Sequence, residues 1–250
     1  ALELDSLNAE AHASLATFRL FWEWDLSGAE AAMDRALALN PDLYRVRSWY
    51  AILLPLLGDL ETAVAELRRV ILADPFNPGM VGDLGLYLQF LGRLDGAVAQ
   101  YQEALELDPT NQFIRANLGW AYLEKDMAGQ ALAEFRRLEL EDLYAAAGLT
   151  HAYVQLGERD EAQQVYEDLL ALASRQRVSK VSLALTLRPL EEDRAFEVLA
   201  QAVEERDPHL LGSMRWHWRS YRHDPSYREI LNSMGLELEG DHFVEFGGRG

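Results

Sequence analysis

The chain has 250 residues, 49% of them hydrophobic and 26% charged, the balance of an ordinary globular protein and not of a disordered tail. Acidic residues number 41 against 23 basic ones, a formal charge of −18, so the averaged field opposes nucleic acid and anionic membrane surfaces. With no cysteine there is no disulfide, thiolate metal site, iron–sulfur cluster or cysteine nucleophile.

The chain opens on Ala1, and ALELD has the composition of a helix end, so residues 1–8 read as the close of a preceding repeat or a linker, and the whole as a piece of a longer protein. Further on, Pro41, Pro75 and Pro109 stand 34 residues apart, each closing a helical stretch: ALALN-P, VILAD-P and ALELD-P. Twelve residues before each proline lies Ala29, Ala63 or Ala97, and one helical turn after each alanine comes Met33, Leu67 or Tyr101. Gly58, Gly92 and Gly157 precede Ala63, Ala97 and Ala162 by five residues, where a left-handed residue ends one helix and lets the next begin. The earlier helix of each unit carries large–small pairs: Tyr50-Ala51 with Leu54, Leu84-Gly85 with Leu88, Leu118-Gly119 with Tyr122, and Leu149-Thr150 with Tyr153. Small residues let two helices approach while large ones fill the gap between pairs. The apolar run from Tyr50 to Leu57 is about eight residues, against the roughly twenty a membrane helix needs.

This pattern resembles the tetratricopeptide repeat (TPR). The resemblance implies an all-α, right-handed superhelical α-solenoid of about six helix pairs, at 9–43, 44–77, 78–111, 112–142, 143–175 and 176–207. A C-terminal cap at 208–236 and a flexible tail at 237–250 follow. Departures are placed at FWEWDLSGAE, with Phe21, Trp22 and Trp24 at the first turn, at Asp126 and Leu143 in a shortened fourth repeat, and at Pro189-Leu190 in the sixth. FWEWDLSGAEAAMDRALALNP and DPSYREILNSMGL are also similar to the C-terminal repeat arrays of multidomain bacterial signalling proteins, whose upstream module is a serine/threonine kinase, a winged-helix regulator or a nucleotide cyclase.

Chemistry finds little footing. No GxxxxGK[ST], GxGxxG, HExxH or GxSxG is present, and the six histidines (His12, His151, His209, His217, His223 and His242) lack helical metal-ligand spacing. No catalytic residue, cofactor or metal is therefore predicted, and the chain reads as a non-enzyme. Glu61, Glu66 and Glu103 read as solvated carboxylates. The segment Arg215 to Arg228 interleaves arginines with Trp216, Trp218, Tyr221 and Tyr227; base stacking would use such residues, but the negative charge favours reading Trp218 and Tyr221 as one face of the cap.

In the repeat family the first helices line a concave groove. The resemblance therefore implies a partner surface of Arg45, Trp49 and Ile52 in the second repeat, Asp83, Leu86 and Phe90 in the third, Phe113, Asn117, Trp120 and Glu124 in the fourth, and His151 and Gln155 in the fifth. The clamp of Lys, Asn and Arg with which co-chaperone members hold a C-terminal carboxylate is missing: the third repeat offers Gly79, Gly82 and Asp83, and Asp83 repels such a tail. The expected ligand is a protein or peptide segment held by apolar anchors, Trp120 foremost, with Asn117 bonding its backbone. The tail residues Phe243, Val244 and Phe246 are an internal candidate. A structural spacer or self-association module for an upstream enzyme is the second reading. Absent cysteine points to the cytoplasm.

Overall fold

The computed structural model describes residues 6–19, 26–41, 44–54, 59–140, 144–207, 209–210, 218, 221–234, 236–239 and 242–245. The chain divides into two compact units, Ala1–Thr110 and Asn111–Gly250. In the first, α1 (Ala9–Phe18) packs on α2 (Leu26–Leu39), α3 (Tyr44–Leu53) on α4 (Leu60–Ala73), and α5 (Pro78–Phe90) on α6 (Leu94–Leu107). In the second, α7 (Gln112–Glu124) packs on α8 (Ala128–Phe135), α9 (Ala145–Leu156) on α10 (Arg159–Ala173), and α11 (Lys180–Leu187) on α12 (Glu192–Glu204), followed by α13 (Pro225–Ser233). The architecture is an α-solenoid of helix pairs.

Helix starts follow from capping chemistry. Asn77 and Asn111, 34 residues apart, each place a side-chain oxygen where it accepts the amide of the third residue on, Met80 or Ile114, and Asp59 does the same for Thr62. In three of the pairs the chain turns between the helices through a left-handed residue. Gly92 (φ 72°) and Gly157 (φ 80°) do so at no steric cost, and Asp126 (φ 57°) takes the equivalent position in the fourth repeat.

The alanine-plus-large register seen at Ala29/Met33, Ala63/Leu67 and Ala97/Tyr101 continues through Ala131/Phe135, Ala162/Tyr166 and Ala195/Leu199. All six alanines are fully inaccessible and all six large side chains are buried. Opposite the large residue the first helix keeps a glycine: a Cβ on Gly85 would lie 2.8 Å from the Tyr101 ring, one on Gly119 2.6 Å from Phe135, and one on Gly148 2.2 Å from Phe135. Phe135 thus fills the space against both α7 and α9. The shortened fourth repeat loses its residues from the second helix, since α8 has 8 residues where α6 has 14 and α10 has 15. Leu143 lies outside the described residues.

Two sequence expectations are corrected. Glu66 is buried, not solvated: it accepts from Arg47 at 2.5 Å and from Arg69 at 2.6 Å, tying α3 to α4. The same two positions 68 residues later hold Arg115 and Glu134, paired at 2.8 Å between α7 and α8. And from the last residue of the expected cap into the segment read as a flexible tail, β1 (Leu236–Glu239) pairs antiparallel with β2 (His242–Glu245), Leu236 opposite Glu245 and Glu239 opposite His242. The alternation Leu-Glu-Leu-Glu has the period of a strand, which supplies the physical reason. That hairpin is where Phe243 and Val244 run; Phe246 is outside the described residues.

At the C-terminal end, Trp218 is fully buried, its ring 5.3 Å from Phe196 of α12 and 5.7 Å from Tyr221, which itself meets Phe196 edge-on at 5.4 Å. These rings cover α12, the role of a terminal cap. Trp216, Arg215, Arg219 and His217 lie outside the described residues. Asp207 reaches back to the start of α11: burial alone would raise its pKa, but hydrogen bonds from the Ser179 hydroxyl, from the His209 amide and ring, and from the Val181 amide hold it below the ordinary value.

Candidate partner-binding surface

In each first helix most of the circumference is consumed by packing, and what remains open is set by register. Along α5, Val81, Gly82, Leu84, Gly85, Tyr87, Leu88 and Gln89 are buried, while Gly79 is exposed and Asp83, Leu86 and Phe90 are half-buried. The spacing 79, 83, 86, 90 is a single helical stripe. On α3 the position equivalent to Asp83 is Trp49, 40% exposed. Arg45 and Ile52 stand on α3 at the flanking positions, and their side chains lie outside the described ones.

Asp83 has the most unusual environment on that stripe. Its carboxyl is pushed up to about 6 from the ordinary 3.8, and the cause is burial, which disfavours the charged form. It makes no ion pair or hydrogen bond among the described residues. Gln89, by contrast, is buried and accepts from the Tyr101 hydroxyl at 2.8 Å, so it belongs to the core.

In the second unit the stripe on α7 is Phe113, Asn117, Trp120 and Glu124. Phe113 is 52% exposed and Glu124 is exposed. Trp120 is not an open anchor: it is 8% exposed, its ring 5.6 Å from Phe135 and 5.1 Å from His151, both edge-on. The residue one repeat later covers it. Asn117 also differs from expectation, because its side-chain amide donates to the Phe113 carbonyl on its own helix at 3.0 Å. On α9, His151 is half-buried and the exposed Gln155 donates to the Leu123 carbonyl at 3.1 Å, a tie back to α7.

His151 has both ring nitrogens engaged. Nδ1 lies 2.8 Å from the Ala147 carbonyl, which can only accept, and Nε2 lies 2.8 Å from the Arg188 guanidinium, which can only donate. The pair of contacts assigns the neutral ring with its proton on Nδ1. Arg188 was missed in the sequence. It is largely buried, its guanidinium 5.3 Å over the Trp218 ring and 5.8 Å over Tyr221, with desolvation lowering its pKa. An arginine followed by Pro189 signals a helix end but not a stacked cation, so nothing in the spacing identifies it. His151 and Arg188 together join α9 and α11 to the cap.

Among the described residues no group of three or more His, Asp or Glu side chains is placed to hold a metal ion, and no helix is long and apolar enough to cross a membrane. Two segments match family models: residues 91–126 a TPR repeat and residues 142–176 a tetratricopeptide repeat. Those two segments are similar to tetratricopeptide repeats. No curated protein matches it in sequence. Among solved structures, it is similar to a TPR protein of Parabacteroides merdae, with 16% identity and a TM-score of 0.62 over 90% of this chain and 91% of that one. PilF of Pseudomonas aeruginosa has 19% identity and a TM-score of 0.59 over 89% and 96%. YrrB, described as a TPR protein with an unusual peptide-binding site, has 17% identity and a TM-score of 0.55 over 78% and 93%. At these identities the likeness is one of fold. The open residues Trp49, Asp83, Leu86, Phe90, Phe113 and Glu124 all lie on the first helix of a pair.

Proposed function

We propose that this TPR chain is a protein–protein interaction scaffold that binds a peptide or partner segment along the open stripe of its first helices. The observation that carries the reading is α5, where from Val81 onward every residue is buried except Asp83, Leu86 and Phe90, which continue one stripe from the exposed Gly79. A helix retaining an apolar and acidic stripe, in a unit that also exposes Trp49, has contact area to offer a partner, and the second unit by itself offers Phe113. YrrB, of like fold, has a peptide-binding site. The anchors differ from those the sequence favours: Trp49, Phe90 and Phe113 replace Trp120, whose area is already spent on Phe135 and His151. The chain acts without catalysis, in the cytoplasm, as the C-terminal part of a larger bacterial regulatory protein. The similarity of FWEWDLSGAEAAMDRALALNP to such arrays supports that context.

The test is selection of phage-displayed random twelve-residue peptides on the full 250-residue chain. Enriched peptides should lose at least about threefold in affinity on Trp49→Ala or Phe113→Ala, each with an unchanged circular-dichroism spectrum. Peptides indifferent to both, together with a concentration-dependent dimer in light scattering, would replace this reading by the self-association module.

A further inference from the structure

Asp83 points to the chemistry of the partner. This inference rests on the stripe reading above and goes further by naming what the stripe selects. Four observations converge on it. The carboxylate sits in the middle of the open face of α5, one turn from Leu86 and two turns from Phe90. It is half-buried, so part of its hydration is already lost. It has no cation within the described residues, in a chain where other partly buried carboxylates do: Glu66 has Arg47 and Arg69, and Glu134 has Arg115 and Arg137. And among the described residues burial acts on it with no offsetting contact, unlike Asp207, whose burial is balanced by hydrogen bonds.

A half-buried carboxylate without a partner is unfavourable in a free protein and becomes favourable only when a cation arrives. We propose that Asp83 is the specificity residue of the surface, and that the partner segment carries an arginine or lysine side chain docked on Asp83 with an apolar residue one helical turn away on Leu86 and Phe90. Charge complementarity selects this occupant. An acidic tail meets repulsion from Asp83 and from a net charge of −18, whereas a basic segment is drawn in by that field and finds one desolvated point charge to fix its register. Arginine suits the position better than lysine, because its guanidinium pairs with both carboxylate oxygens and lays a flat, weakly hydrated face on the apolar side chains alongside.

The experiment uses the same displayed twelve-residue library, selected at pH 7.5 on the full wild-type chain and in parallel on Asp83→Asn. Peptides enriched on the wild type should carry Arg or Lys three or four residues from Leu, Ile or Phe. When synthesised, they should lose at least about tenfold in affinity by calorimetry on Asp83→Asn, and the same when the basic residue becomes glutamine, with no further loss when both changes are combined. Asp83→Glu, which keeps the charge, should retain most of the binding. Thermal melts of Asp83→Asn no lower than wild type separate lost recognition from lost structure. If enriched peptides lack a basic residue, or bind Asp83→Asn within about twofold of wild type while still depending on Trp49 or Phe113, the cation docking is wrong and the stripe reading stands. If no enriched peptide depends on Asp83, Trp49 or Phe113, both fall together.

Discussion

At Asp83 the demands of folding and of recognition oppose each other, and the opposition is measurable. Held at about 6 against the ordinary 3.8, the folded carboxyl binds its proton more tightly than the unfolded one. Between about pH 4 and pH 6 folding therefore takes up protons, so stability falls as pH rises through that window and stays lower above it. At about 1.4 kcal/mol per pK unit the loss would be near 3 kcal/mol, and solvent reaching the half-open side chain reduces it to about 1–3 kcal/mol. Asp83→Asn removes the ionisation. Its melting temperature should equal that of the wild type near pH 4 and exceed it by roughly 2–12 °C at pH 8, at about 2–4 °C per kcal/mol for a chain of this length. A variant that melts lower than the wild type at pH 8 would show that the carboxylate is satisfied after all. The position was legible in the sequence as part of a surface; its desolvation was not, because that depends on how closely Leu84, Tyr87 and Leu88 draw α5 into its neighbours.

Among the elements, the turns between paired helices give a matched comparison. Gly92, Asp126 and Gly157 occupy one structural position and all have positive φ, yet only two are glycines. Nothing lies within 4 Å of where a Cβ on Gly92 would be, so a side chain there costs backbone strain and no clash. Gly92→Val should lose about 1–2 kcal/mol, while Asp126→Gly should gain about 0.5–1 kcal/mol by relieving the same strain. Thermal melts should move in opposite directions, and movement in the same direction would contradict the shared turn geometry. The turns and the alanine register could be read from the sequence because each reflects a local need: φ beyond the reach of most side chains, or a gap that admits only a methyl. Trp120 could not be read the same way. Whether a helical tryptophan stays open depends on what the next repeat lays over it, here the His151 ring 5.1 Å away. Glu66 escaped for a similar reason, since its partner Arg47 lies on the preceding helix. The strands at the C-terminal end run for four residues each, too short for their alternation to stand out beside a glycine-rich tail.

For the molecule as a whole, what matters is that the described helices of each unit are held by contacts between successive neighbours, so its cooperativity passes through a few shared side chains. In the second unit Phe135 is such a side chain. It belongs to α8, yet its ring fills the space beside Gly119 of α7 and Gly148 of α9, and it supports the edge of Trp120, which in turn meets His151. From His151 the contacts continue through Arg188 to Trp218 and the cap. Phe135→Ala would open a cavity at the point where α7, α8 and α9 meet, at a cost of about 3–5 kcal/mol. If the contacts act as a chain, the loss is not confined to α8. Amides of α7, α9 and α11 should exchange with solvent faster by a common factor of more than about a hundredfold, at about 1.4 kcal/mol per factor of ten. Protection lost in α8 alone, with α9 and α11 as slow as in the wild type, would mean that the repeats of this unit unfold independently and that the run of contacts from Phe135 to Trp218 carries no coupling.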